Sequence, residues 1–106
     1  MKGILATAAV FALGASTAHA ALSDADATKA MTKYNCQACH TIDKKLVGPA
    51  FRDIAKKYAG DTGAAQKLQA KVKAGSTGVW GAIPMPPNNV PPGDLGPLVD
   101  WLLALK

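Results

Sequence analysis

Two cysteines and a histidine lie within five consecutive residues, Cys36-Gln37-Ala38-Cys39-His40. Two thiols three positions apart, with an imidazole directly behind them, form the pattern required for covalent attachment of c-type haem. In that chemistry the thiols bond to the haem vinyl groups, and the histidine binds the iron from one face. The segment therefore predicts two covalent anchors, Cys36 and Cys39, and one axial ligand, His40.

Other sites also use a Cys-x-x-Cys pair. A zinc site needs about four protein ligands, and the whole chain has only two cysteines and two histidines. A thioredoxin-like dithiol site needs the pair beside a βαβ pattern, and the sequence has no alternating β-branched strands. The pattern favours haem attachment and leaves a dithiol redox site or a structural disulfide as alternatives.

The N-terminus predicts export of the chain. Met1-Lys2 is a short basic start, residues 4–15 are mostly apolar, and Ala18-His19-Ala20 has the small residues of a cleavage site. The apolar run is shorter than the roughly 20 residues that a membrane-spanning helix needs. We therefore expect residues 1–20 to be a cleaved signal peptide and residues 21–106 to form the mature domain, located in a bacterial periplasm. Disulfides also form in that compartment, so export alone does not select haem attachment.

The length and the net charge of the chain limit the size of the domain and the kinds of partner that it can have. Removal of 20 of the 106 residues leaves 86, enough for one domain with a small core, which a buried haem would enlarge. Twelve Lys and Arg against seven Asp and Glu give a net charge of +5, and loss of Lys2 leaves +4. This modest positive charge suits encounters with acidic partners. No motif supports nucleic-acid binding.

The second axial ligand has few candidates, because the mature chain retains only His40, Met31 and Met85. Ligation by two histidines of one chain is then impossible, which leaves methionine, another donor such as lysine, or water or an external ligand. Met31 falls in a predicted helix, where we expect it to pack in the core. Met85 lies among prolines that stiffen an extended loop, so holding its thioether costs little entropy. With the haem motif, Met85 is the predicted ligand, and His/Met ligation favours electron transfer over substrate chemistry.

The hydrophobic pattern predicts an all-α fold of about four helices. The first is capped by Ser23 or Asp24 and runs to about Tyr34, with Asn35 in a left-handed turn. A second short helix follows Gly48-Pro49, with an apolar face and Gly60 beyond its end; the face comprises Phe51, Ile54, Ala55 and Tyr58.

A third helix is predicted from Asp61 or Thr62 to Gly75, followed by a long loop to Gly93 and a last apolar helix. Proline inside a helix costs about 3 kcal/mol. We therefore predict that the last helix becomes regular only near residues 94–97, with Pro97 in its first turn.

The chain resembles the short, single-haem bacterial class I cytochromes c of the cytochrome c-551/c-552 group. The likeness covers the mature region and rests on five segments: residues 36–40, 47–50 (Val-Gly-Pro-Ala), 75–81, 83–88 and the terminal helix with Trp101. It implies a small class I cytochrome c fold around one covalent haem c. It also implies a monomeric periplasmic single-electron carrier that is not an enzyme, does not insert into membranes and serves the respiratory chain. Its partners would be periplasmic or membrane-bound redox proteins, for example a terminal oxidase, a nitrite reductase or a quinol-cytochrome c reductase.

The resemblance also implies roles for individual residues. The second ring N–H of His40 would donate to the carbonyl of Pro49, and the indole N–H of Trp80 would donate to a haem propionate. Lys71 would act near that propionate as a point charge, where relatives often have arginine. Asn88 would support the loop by hydrogen bonding near the Met85 sulfur. The exposed haem edge would be ringed by Ala38, Leu46, Val47 and Ile83, with Lys44 and Lys45 nearby.

Intact mass spectrometry of the exported protein tests the attachment and the cleavage site together. We expect the mass of a chain that begins at Ala21 plus one haem. A colourless protein with two titratable thiols would instead support a dithiol redox site.

Overall fold

The computed structural model describes Gly3 and residues 22–106. The predicted signal peptide, apart from Gly3, lies outside the described residues. The described part contains four α-helices, α1 (Asp24–Lys33), α2 (Phe51–Lys57), α3 (Ala64–Ala74) and α4 (Pro92–Leu103), and one turn of 3₁₀ helix, Cys36–Ala38. Among these described residues, β-pairing of the backbone is limited to two isolated bridges. The predicted all-α fold is confirmed. None of the helices in this part of the chain is long and apolar enough to cross a membrane.

The limits of the first two helices agree with the local sequence. The Ser23 hydroxyl accepts a hydrogen bond from the Asp26 N–H at 3.1 Å and so caps α1. Asn35 has a φ of 60° and reverses the chain directly after α1. Helix α2 follows Pro49 and buries Phe51 and Ile54. The limits of these helices are set by residues that are close in the sequence.

The start of α3 was predicted two to three residues too early. The helix begins at Ala64, and Asp61 instead forms a turn ahead of it by accepting a hydrogen bond from the Gly63 N–H at 2.8 Å. The second carboxylate oxygen of Asp61 pairs with Lys67 at 2.7 Å. An aspartate that bonds to the backbone two residues ahead favours a turn over a helical first position.

The prediction for the start of α4 was wrong. The helix begins at Pro92, and Pro97 lies inside it rather than in its first turn. Pro92 occupies the first helical position, where a missing N–H costs nothing. The Leu95 N–H bonds to the Pro91 carbonyl at 2.9 Å, and Leu95 is only 1% exposed. Burial of this leucine and the rest of the apolar face offsets the single backbone hydrogen bond that Pro97 cannot make.

Helix α4 is the element that joins the fold, because it packs against α1, α2 and α3. One buried cluster is formed by residues of α1, α2 and α4. Its members are Ala27, Met31, Phe51, Ile54, Leu98 and Trp101. Met31 is thus a core residue, as predicted. The rings of Phe51 and Trp101 meet edge to face, with centroids 6.4 Å apart. The Trp101 indole N–H donates to Asp24 at 2.9 Å and ties α4 to the start of α1.

A second link joins the end of α1 to the start of α4, because the Tyr34 hydroxyl donates to the Asp94 carboxylate. This hydrogen bond to an anion raises the pKa of Tyr34 above its ordinary value of 10.0, with a smaller opposing effect from Lys33. Since Tyr34 immediately precedes the turn into the Cys36–His40 segment, the link holds that segment against α4.

The pH dependence of stability tests this link. A raised pKa in the folded state means that the contribution of Tyr34 is fully present below about pH 10 and is lost as the pH rises through the raised pKa. We expect Tyr34→Phe to lower the melting temperature near neutral pH, and the difference from the wild type to shrink above pH 10. Tyr58→Phe, the other tyrosine, is the control. A difference for Tyr34→Phe that does not change with pH would contradict the assignment.

Candidate cofactor site

The two cysteines are brought together by local structure. After the left-handed Asn35, the chain makes one helical turn, in which the N–H groups of Cys39 and His40 bond to the Cys36 carbonyl at 3.2 and 3.0 Å. The two cysteines do not form a disulfide, and both are partly buried in the wall of one cavity. Burial raises the pKa of the Cys36 thiol. The geometry thus presents both thiols to a single space.

His40 is held in one orientation. The residue is 9% exposed, and its ring stacks on Phe51 with centroids 5.1 Å apart and places Nδ1 at 2.8 Å from the Pro49 carbonyl oxygen. A carbonyl oxygen can only accept, so Nδ1 carries the hydrogen and Nε2 keeps the lone pair that can bind a metal. The contact that the resemblance implies between His40 and Pro49 is therefore present.

Gly48 makes room for this ring. A Cβ atom at residue 48 would lie 2.5 Å from the His40 Cε1 and 2.9 Å from Nδ1, closer than real Cβ contacts. The Gly48 N–H also bonds to the Cys39 carbonyl at 2.7 Å. The residue therefore closes the loop that carries His40, a role that the sequence alone did not assign to it.

Met85 is held by its backbone. The N–H of Ser76 bonds to the Met85 carbonyl at 3.0 Å, and the N–H of Met85 bonds to the Ser76 carbonyl at 2.8 Å. Gly75 has a φ of +81°, and a Cβ there would lie 2.7 Å from the Met85 carbonyl oxygen. Ser76 and Gly75 thus place the methionine at the cavity. The sequence predicts Gly75 at a helix end and within the segment 75–81 of the resemblance, but not in contact with Met85, because pairing between residues nine apart across a loop leaves no local pattern.

One cavity of about 770 Å³ unites the predicted site residues. Its volume lies in the range of cofactor pockets, about 300–1,000 Å³. All eight residues predicted to serve the haem line it: Cys36, Cys39, His40, Pro49, Lys71, Trp80, Met85 and Asn88. The remaining wall is mainly apolar and includes half-buried side chains of α3, Leu68 and Val72. Two thiols, an imidazole nitrogen and a thioether around an apolar space fit a haem group.

The supporting residues have contacts of their own. Asn88 donates through its side-chain amide to the Pro86 carbonyl at 2.8 Å and through its backbone N–H to the Val72 carbonyl at 2.8 Å, so it fastens the Met85 loop to α3. Trp80 is 40% exposed, and Lys71 is half-buried in the cavity wall. The roles of Trp80 and Lys71 toward a propionate, and of Asn88 toward the sulfur, remain predictions.

The mouth of the cavity is apolar and exposed. The four side chains expected around the haem edge, Ala38, Leu46, Val47 and Ile83, all line the cavity. Leu46, Val47 and Ile83 are among the most exposed large apolar side chains of the described residues, with Ile83 at 68%. Lys44 and Lys45 lie exposed beside them in sequence. A small apolar surface with cationic neighbours is present at this opening.

Comparison with known proteins agrees with this geometry. The family model described as Cytochrome c matches residues 14–106. The chain is 55% identical to cytochrome c-552 of Nitrosomonas europaea over 87 residues, 81% of this chain and 82% of that protein. It is 52% identical to cytochrome c-551 of Pseudomonas aeruginosa over 71 residues, 67% of this chain and 68% of that protein.

Solved structures match as well. The crystal structure of Nitrosomonas europaea cytochrome c552 superposes with a TM-score of 0.72 at 54% identity, covering 74% of this chain and 99% of that one. The class 1 cytochrome MtoD of Sideroxydans lithotrophicus ES-1 superposes with a TM-score of 0.63 at 30% identity, covering 78% of this chain and 97% of that one.

Fold, site and similarity together define a class I cytochrome c. The chain belongs to the cytochrome c family and is a close homologue of the cytochromes c-551 and c-552. Membership of this family, together with the Cys36/Cys39 pair, shows that the protein carries one covalent haem c and is an electron carrier rather than an enzyme. The dithiol and disulfide alternatives are thereby set aside.

Substitution of Gly75 tests the close approach to Met85. Gly75→Ala places a Cβ against the Met85 carbonyl and forces a left-handed φ on alanine, so we expect the free energy of unfolding of the haem-loaded protein to fall by about 1–3 kcal/mol or more. Denaturant unfolding measures this. Gly78→Ala is the matched control, because its φ is +78° but nothing lies within 4 Å of an added Cβ. Equal losses for both variants would show that the contact with Met85 is unimportant.

Proposed function

We propose that this cytochrome c is a monomeric periplasmic carrier of single electrons whose haem iron is bound by His40 and Met85 and whose haem is anchored by Cys36 and Cys39. The observation that carries the proposal is the convergence of these four side chains on one apolar cavity of about 770 Å³. Bound there, the haem supplies reversible one-electron exchange at its iron.

The histidine side of the site favours a fixed ligand. The hydrogen bond from Nδ1 to Pro49 selects the tautomer with a free Nε2. Stacking on Phe51 and the space left by Gly48 restrict ring rotation. A ligand so restrained loses little entropy on binding.

The methionine side favours a closed sixth position. The paired backbones of Ser76 and Met85 and the link from Asn88 to Val72 hold the loop without help from the Met85 side chain. The thioether is then available to the iron. Methionine ligation raises the reduction potential, and two protein ligands leave no position for a substrate. This supports electron transfer over oxygen or peroxide chemistry.

The opening of the cavity supports brief docking of redox partners. Exposed Leu46, Val47 and Ile83 give a small apolar contact, and nearby lysines attract acidic surfaces. Small interfaces are typical of transient electron-transfer complexes. Candidate partners are a terminal oxidase, a nitrite reductase or a quinol-cytochrome c reductase of the respiratory chain. Export after cleavage before Ala21 would place the protein where such partners lie.

Visible spectroscopy of Met85→Ala tests the ligand assignment. Because alanine has no donor atom, we expect the variant to keep its covalent haem, to lose the low-spin spectrum of the wild type and to bind carbon monoxide or cyanide rapidly. The reduction potential should fall with loss of the thioether. Met31→Leu, a volume-conserving change in the core, should leave spectrum and ligand binding unchanged. An unchanged low-spin spectrum in Met85→Ala would identify a different sixth donor. Rapid binding of carbon monoxide to the wild type would favour a haem enzyme or gas sensor.

A further inference from the structure

The segment between Ser76 and Met85 forms a strap, residues 77–84, whose two ends are tied together by the paired backbones of those residues. Across the described chain, no backbone hydrogen bond joins the strap itself to a helix. Gly78 and Gly81, with φ of +78° and +129°, lie on either side of Trp80. A segment with few backbone hydrogen bonds opens at low free energy unless side chains hold it.

Lys57 provides such a side-chain contact. It lies in the last turn of α2, and its ammonium group is 5.4 Å from the centroid of the Trp80 ring. That distance is within the range of a cation–π interaction, for which tryptophan is the best ring. The contact joins the middle of the strap to the helix that begins with Phe51, the residue stacked on His40.

The ordinary alternative for Lys57 is an ion pair along its own helix. Asp53 lies four residues earlier, a spacing that favours such pairs. Yet the ion pairs found among the described residues are Arg52 with Asp43 and Lys67 with Asp61. Lys57 therefore reaches Trp80, while Asp53 lies in the cavity wall. The neighbouring Lys56 is exposed on the same helix and has no ring contact in this region.

We propose that Lys57 is a positioning residue for the redox site. Through its cation–π contact with Trp80 it holds the strap over the cavity, and its charge, held beside Trp80 of the cavity wall, favours the reduced state of the haem. This rests on the proposed function, since it needs a haem beside Trp80. The physical reason is that a nearby cation stabilises the state of the iron with the lower positive charge.

The test compares haem-loaded Lys57→Gln with Lys56→Gln, because each removes one charge from the same turn of α2 and only Lys57 contacts Trp80. Two quantities are measured: the reduction potential, and the hydrogen exchange rate of the Trp80 indole N–H by NMR in the reduced protein. We expect Lys57→Gln to have the lower potential of the two variants and to exchange about two- to five-fold faster than the wild type. Lys57→Arg keeps the cation and should restore both values.

Equal reduction potentials for the two glutamine variants would overturn the proposal, and so would an unchanged indole exchange rate in Lys57→Gln. Faster exchange in Lys57→Gln without a lower potential would also overturn it, because Lys57 would then have a purely structural role. Failure of the proposed function is recognised separately in the wild type, by the absence of covalent haem or by rapid binding of carbon monoxide. A normal wild-type spectrum with equivalent glutamine variants would refute this inference alone.

Discussion

The His40 imidazole is the point at which the fold and the cofactor chemistry meet. Its Nδ1 is bonded to Pro49, its face packs on Phe51, and Gly48 leaves it room. From Phe51 the contacts continue edge to face to Trp101, whose indole N–H donates to Asp24. The ring orientation is thus tied through α2 and α4 to the start of α1. Packing of three helices, rather than any single bond, gives the metal-binding nitrogen its direction.

The part of the cavity wall that carries Met85 is positioned in a different way. Met85 lies outside the helices, and its loop is positioned by backbone pairing with Ser76 and by the link from Asn88 to Val72. Proline residues on both sides of Met85 restrict the loop further. One wall of the site is therefore a packed helical core, and the other is a stiff loop fastened at a few points. The strap 77–84 is the least restrained part of that wall, which is why a single contact from α2 matters there.

Several helix limits and the chemistry of the haem motif could be predicted from the sequence because they depend on neighbouring residues. Ser23 caps the backbone three residues ahead, Asn35 accepts a left-handed conformation, and Cys36 and Cys39 lie on one helical turn. Met85 could be proposed because elimination left few donors and because prolines flank it. These signals are local interactions or the composition of the chain, so composition and spacing carry the information.

The tertiary structure alone decided features that depend on distant residues. Pro97 lies inside α4 because burial of Leu95 and its neighbours against three helices outweighs the cost of a proline within a helix. That local cost, taken alone, predicts that the helix starts later. Tyr34 and Asp94 are 60 residues apart, and neither residue type indicates its partner. The pairing of Ser76 with Met85 and the contact of Lys57 with Trp80 likewise leave no pattern in the sequence. The sequence by itself determined which groups can bind and anchor a haem, whereas long-range packing decided how they are aimed, since direction depends on contacts that exist only after the chain has folded.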